Sequence, residues 1–185
     1  MKVIVVSGAR SNVGKTRLSR ALCKLLPNAV LVKIGHHAWK PGGDRFLYPM
    51  GTSFSVIAAQ HSATRFLIIE SNTILDEITP ECTIYLPADN PKPSAAKAME
   101  KADIIRGEAV PPSKIALLAE RMECDEAVIR AIAELSGGCV IPCLRRDRTV
   151  EQALGKGLAA AWTLQNSFEA VPPGVKRQKA MRSST

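Results

Sequence analysis

The chain has 185 residues and a formal net charge of +8; 46% of it is hydrophobic but only 4% aromatic. That length suits one ordinary domain that buries an aliphatic core without disulfides or metal, and no apolar run approaches the ~20 residues of a membrane span. The basic balance suits phosphate-bearing ligands. Half of the excess lies in the tail (Lys176, Arg177, Lys179 and Arg182, with no acid), and no aromatics interleave with the basic residues as in single-strand nucleic-acid binders.

Residues 2–7 form a continuous apolar run, expected for a central strand of a parallel sheet. Its apolar opening is too short for a signal peptide and runs straight into a glycine loop over 8–14. From Gly14 a helix follows with Leu18, Ala21, Leu22 and Leu25 on one face, ended by Pro27 and Asn28. Residues 29–34 read as a second strand. The stretch Gly35 to Gly51 is rich in Gly, Pro and polar residues and reads as one long loop, a length that is usually functional or disordered.

Thr52 to Gln60 reads as a helix and Phe66–Ile69 as a third strand ending at Glu70. Cys82–Leu86 is a fourth strand, leading into the turn-rich Pro87–Pro93. Ser94 to Lys101 reads as a helix and Ala102–Ile105 as a fifth strand. Pro111 and Pro112 open a helix carrying Ile115, Leu118, Ala119 and Met122. A second helix from Asp125 carries Val128, Ala131, Ile132 and Leu135 and is closed by Gly137 and Gly138. Cys139–Leu144 is a last strand, short or at an edge because of Pro142. A final helix spans Gln152 to Leu164, with Leu154, Leu158, Ala161 and Trp162 as its buried stripe.

Strands alternating with helices predict a three-layer, doubly wound α/β fold with a mostly parallel sheet. One domain is expected over residues 1–170, followed by a basic, disordered tail over 171–185. The five cysteines, Cys23, Cys82, Cys124, Cys139 and Cys143, include no C-x-x-C pair. They read as small buried thiols of a reduced, cytoplasmic protein.

The chemistry concentrates in Gly8-Ala9-Arg10-Ser11-Asn12-Val13-Gly14-Lys15-Thr16. A strand delivers the chain to a loop that starts a helix, and loop amides with the helix N-terminus make a positive concavity for phosphate oxygens. Lys15 is expected to reach the outer phosphates of a nucleotide and the Thr16 hydroxyl to ligate Mg²⁺. The pattern G-x-x-x-x-G-K-S/T would put its first glycine at position 9, which is Ala9; Gly8 sits one residue early. Glu70, closing an apolar strand, is expected to hold Mg²⁺ directly or through water.

With a glycine six residues before the Gly-Lys-Thr glycine and valine directly before it, this loop resembles that of the dethiobiotin synthetase and cobyrinic acid synthase group. Counted from Ala9, it resembles the deviant loop of the wider class, whose signature lysine is replaced by Arg10, a second candidate phosphate contact. The next segment, Val32-Lys33-Ile34-Gly35-His36-His37-Ala38-Trp39-Lys40-Pro41-Gly42-Gly43-Asp44-Arg45, looks like the lysine, paired histidines and K-P-G-x-D of the molybdopterin-guanine dinucleotide biosynthesis protein B family. The resemblance covers roughly residues 1–105. It implies a P-loop NTPase that binds GTP or ATP with Mg²⁺, GTP being favoured by the resemblance alone. It also implies slow turnover beside a partner enzyme of molybdenum-cofactor biosynthesis.

His36 and His37 then become candidates for substrate or phosphate contact, and Asp44, taken as catalytic with Lys15 and Glu70, for Mg²⁺ or substrate contact. Adjacent histidines in an extended segment point to opposite sides, which disfavours their sharing one metal. Base recognition is open between Lys101-Ala102-Asp103, a partial guanine-reading pattern, and the polar loop Pro87-Ala88-Asp89-Asn90. Arg145, Arg146 and Arg148 are a further cluster that fits phosphate contact or a solvated face. The loop alone also suits an ATP-dependent synthetase or kinase acting on a small molecule, or a nucleotide-binding adaptor without turnover. The expected partners are a nucleotide and the cofactor-biosynthesis enzyme; a homodimer is compatible, while a membrane and nucleic acid are not expected.

Overall fold

The structure is a computed structural model and describes residues 1–35 and 45–140, all within the compact unit Met1–Arg148. Seven apolar-rich residues make strand β1 (Lys2–Gly8), followed by helix α1 (Lys15–Leu25) and strand β2 (Ala29–Ile34). Then come β3 (Arg45–Tyr48), α2 (Phe54–Gln60), β4 (Phe66–Glu70), a 3₁₀ turn (Thr73–Asp76) and β5 (Cys82–Leu86). The rest is α3 (Pro93–Glu100), β6 (Ile104–Ile105), β7 (Ala109–Val110), α4 (Pro112–Met122), α5 (Glu126–Leu135) and β8 (Cys139–Val140).

Six strands form one parallel sheet in the order β3-β2-β4-β1-β5-β6. β1 therefore lies between β4 and β5, and the chain winds away from it in both directions. Alternate residues of the inner strands face opposite sides, as the two-residue period of a strand requires. Ile4, Val6, Phe66, Ile68, Ile84 and Leu86 meet Leu18 and Leu22 of α1 with apolar residues of α4 and α5. Val3, Val5, Leu67, Ile69 and Tyr85 meet Ile57 of α2, Ala95 and Ala98 of α3, and Ile74 and Leu75. Both faces of the sheet are covered, which is why β4 and β5 are buried along their whole length.

Three expectations about the elements are corrected. The stretch from Gly35 to Gly51 is not all loop, because Arg45–Tyr48 forms the edge strand β3 beside β2. The strand at Cys139 does not join the main sheet; Cys139–Val140 pairs with Ala109–Val110 in a separate two-stranded sheet. β6 is also shorter than expected, Ile104–Ile105 alone. The expected helix over 152–164, the arginines at 145, 146 and 148 and the tail lie outside the described residues. No helix among the described residues is long and apolar enough to cross a membrane.

Parallel strands put all their carboxyl ends on one edge, where ligands of open α/β sheets bind. The register there is specific: Val6 of β1 pairs with Glu70 of β4, which pairs with Lys33 of β2. Gly8 lies beside Leu86 of β5. The end of β1 thus has an acid and a lysine on one side and β5 on the other.

Candidate functional site

The loop from Gly8 to Gly14 is fastened at its start. The Gly8 N–H donates to Asn72 Oδ1 (3.0 Å), and Asn72 Nδ2 donates back to the Gly8 carbonyl (2.9 Å). Ala9 N–H donates to the Leu86 carbonyl (2.9 Å), and the Ala9 carbonyl accepts from Lys92 N–H (2.8 Å). These bonds tie the loop to the exits of β4 and β5 before it turns.

The early glycine has a steric cause. A Cβ on Gly8 would stand 2.8 Å from Val13 Cγ2 and 3.1 Å from the Leu86 carbonyl oxygen, whereas Ala9 is accommodated in the core. The loop closes over position 8, so position 8 must be glycine. Asn12 (φ 63) and Gly14 (φ 98) adopt left-handed conformations, tolerated by asparagine and natural for glycine. Gly14 caps α1, whose first turn carries no acid and no side-chain cap, so its amides remain an anion-seeking end.

The charged groups gather at this point. Lys15 folds back over the loop and donates from Nζ to the Arg10 carbonyl (2.7 Å). Thr16 Oγ1 donates to Glu70 Oε2 (2.7 Å), while Glu70 Oε1 faces Lys33 Nζ at 3.3 Å. Glu70 is only 4% exposed, so its carboxylate depends on these partners. On the other flank, Lys92 Nζ reaches Ser11 Oγ (3.3 Å). Burial pushes the Lys15 pKa below the ordinary lysine value; Glu70 opposes this, and the charges of Lys33 and Lys92 add to it. Lys15, Lys33 and Lys92 thus stand about the loop with Glu70 as the one carboxylate among them, a surplus of positive charge that an anion would neutralise.

The structure brings together Gly8, Arg10, Ser11, Asn12, Val13, Gly14, Lys15, Thr16 and Glu70. Arg10 itself is exposed, and Arg10 to Val13 with Pro87 and Ala88 line an open cleft of about 460 Å³ in front of the loop. His36, His37 and Asp44 lie outside the described residues. Among the described residues there is no group of three or more His, Cys, Asp or Glu able to cage a metal. A hard cation here would be shared between Thr16, Glu70, water and ligand oxygens, which is how Mg²⁺ is commonly held.

Asp103, considered for base recognition, is engaged elsewhere. It precedes β6, at the edge opposite the loop, where Oδ2 accepts from Thr83 N–H (2.8 Å) and Oδ1 pairs with Arg121 (3.0 Å). Three residues with contacts to the loop had no motif to mark them: Asn72, Lys92 and Arg106. Arg106 Nη1 donates to the Val13 carbonyl (3.2 Å). Only knowledge of which strands adjoin β1 would have singled them out. Lys33 stood out only within the resemblance of residues 32–45. No protein-family model matches the chain, and no curated protein matches it in sequence.

Proposed function

We propose that this chain is a P-loop protein that binds a nucleoside triphosphate with Mg²⁺ and slowly hydrolyses its terminal phosphoryl group. The observation that carries this reading is the Thr16 hydroxyl set 2.7 Å from the buried Glu70 carboxylate, directly behind the Gly8–Gly14 loop. Adjacent oxygens on a Mg²⁺ bound at ~2.1 Å lie about 3 Å apart, so this pair fits the metal with little adjustment. Mg²⁺ would supply charge neutralisation at the phosphates.

The other residues have distinct tasks. Loop amides and the α1 N-terminus cradle phosphate oxygens. Lys15 leaves the Arg10 carbonyl for the outer phosphates, an exchange of one hydrogen bond for a charge-assisted one. Lys33 offsets the charge of Glu70. The three lysines against one glutamate leave a local surplus that matches the roughly two net negative charges of a Mg²⁺-bound triphosphate. Glu70 is tied to Thr16 and Lys33 on its two oxygens, which suits holding a metal better than abstracting a proton and accounts for slow turnover.

The resemblance of Gly8–Thr16 and of residues 32–45 to the molybdopterin-guanine dinucleotide biosynthesis protein B family supports GTP as the nucleotide. It also supports an accessory role beside a molybdenum-cofactor enzyme. A second reading, phosphoryl transfer from ATP to a small acceptor as in dethiobiotin synthetase, is supported by the resemblance of the Gly8–Thr16 loop to that group.

Phosphate release from ATP and GTP, with and without Mg²⁺, tests the proposal. Slow Mg²⁺-dependent release is expected from the wild type, reduced at least tenfold in Lys15→Ala and Glu70→Gln, by removal of charge stabilisation. Release that is equal in Lys15→Ala, or absent with both nucleotides, would overturn the hydrolase reading.

A further inference from the structure

Arg106 joins the phosphate loop to the end of α5, a helix that otherwise meets the site through the apolar core it shares with α1. Its backbone extends β6, with N–H donating to the Tyr85 carbonyl (3.0 Å). Its side chain then passes between two left-handed glycines, Gly14 (φ 98) and Gly137 (φ 77). A Cβ on Gly14 would stand 3.5 Å from Nη1, and one on Gly137 would stand 3.3 Å from Cγ. The guanidinium fork donates in two directions: Nη1 to the Val13 carbonyl (3.2 Å) and Nε to the Ser136 carbonyl (3.1 Å).

The second of these carbonyls is one that α5 leaves over. Gly138 N–H returns to Ala133 O and Gly137 N–H to Glu134 O (both 2.9 Å), the paired bonds of a glycine-closed helix end. Ser136 O is not used by that pair and sits at the negative end of the helix, where a cation is stabilised. Gly107 N–H also donates to Gly137 O (3.0 Å), so the turn after β6 and the turn after α5 are joined by backbone as well. Arg106 is thus anchored at its base by β5 and at its stem by the end of α5.

The bond to Val13 has a consequence for the loop. In a trans peptide the carbonyl and the following N–H point to opposite sides. Holding the Val13 carbonyl outward, against Arg106, aims the Gly14 N–H inward, toward the cradle at the start of α1. Gly14 can adopt the left-handed conformation this requires, but its permissive backbone does not by itself select it.

We infer that Arg106 is a positioning residue for the phosphate loop: by clamping the Val13 carbonyl to the end of α5 it presets the Gly14 amide for an anion. It acts through Val13 and Gly14 and touches no phosphate itself. The α4–α5 hairpin then serves the site as the fixed body against which the loop is set. This rests on the phosphate-site reading above. Lysine cannot replace the fork, since one ammonium group on a flexible stem cannot hold two divergent carbonyls in fixed geometry.

The test is binding of Mg²⁺ with ATP and with GTP by calorimetry, together with the ¹⁵N–¹H resonance of the Gly14 amide in the free protein. Arg106→Ala is expected to weaken binding at least tenfold and to shift the Gly14 resonance, with Arg106→Lys giving a smaller loss of the same kind. Ile129→Val, which removes one methylene from the buried face of α5, is expected to bind as the wild type does. Wild-type affinity and an unmoved Gly14 resonance in folded Arg106→Ala and Arg106→Lys would overturn the inference. So would an equal loss in Ile129→Val, which would reduce the effect to general stability. If the wild type binds neither nucleotide, the phosphate-site reading fails, and the Gly14 resonance alone then decides the role of Arg106.

Discussion

Gly8 shows how one residue departs from a motif for a physical reason. The space above it is taken by Val13 and the Leu86 carbonyl, so the glycine belongs at position 8 while Ala9 fits the core. Gly8→Ala is expected to destabilise the chain by about 1–3 kcal/mol, the usual cost of overpacking, because backbone on one side cannot yield. Urea unfolding measures this; an unchanged midpoint would contradict the close approach. Thr16 and Glu70 were legible in the sequence because each stands at the end of a strong local pattern, the glycine-lysine-threonine turn and an apolar strand. Asn72 was not legible: its two bonds to Gly8 exist only because β4 is the neighbour of β1. Lys92 and Arg106 escaped for the same reason on the β5 and β6 side.

Among the elements, β3 was the one hidden by composition. Its four residues follow a stretch of glycines and prolines, too short a run to show a two-residue period. Its place is secured at Tyr48, which is buried and whose hydroxyl donates to Gln60 Oε1 and lies 3.0 Å from His61 Nε2. Phe46 packs edge-on against His61, with ring centroids 4.5 Å apart. Burial lowers the His61 pKa below its ordinary value. The unfolded chain, titrating near 6.5, then binds the proton more readily than the folded one. The contribution of His61 to stability is complete above about pH 6.5 and falls as the pH drops below it. Stability curves of wild type and His61→Gln are expected to converge between pH 7 and pH 5; a constant difference across that range would contradict the burial of a neutral imidazole. The long elements β1, α1, α4 and α5 were legible because each has enough residues to display its period, and β8 because it opens the apolar run at Cys139, whereas β7, with two residues, has no period to display.

For the whole molecule, alternation of strands and helices was sufficient to foresee a parallel sheet covered on both faces. It was not sufficient to give the order β3-β2-β4-β1-β5-β6, because local patterns record which face of a strand is apolar and not which strand lies beside it. That order is what sets Glu70 and Lys33 on one side of the loop and Lys92 on the other. The central claim is that this edge of the sheet binds a Mg²⁺-nucleoside triphosphate through Lys15. Thermal unfolding of the wild type and Lys15→Ala with ATP, GTP and Mg²⁺ tests it most directly. A ligand at a hundredfold its Kd stabilises by about 2.7 kcal/mol, which for a chain of this size raises Tm by roughly 5–10 °C. The account predicts such a rise for at least one nucleotide in the wild type and its loss in Lys15→Ala; no rise with either nucleotide, or an equal rise in both proteins, would contradict it.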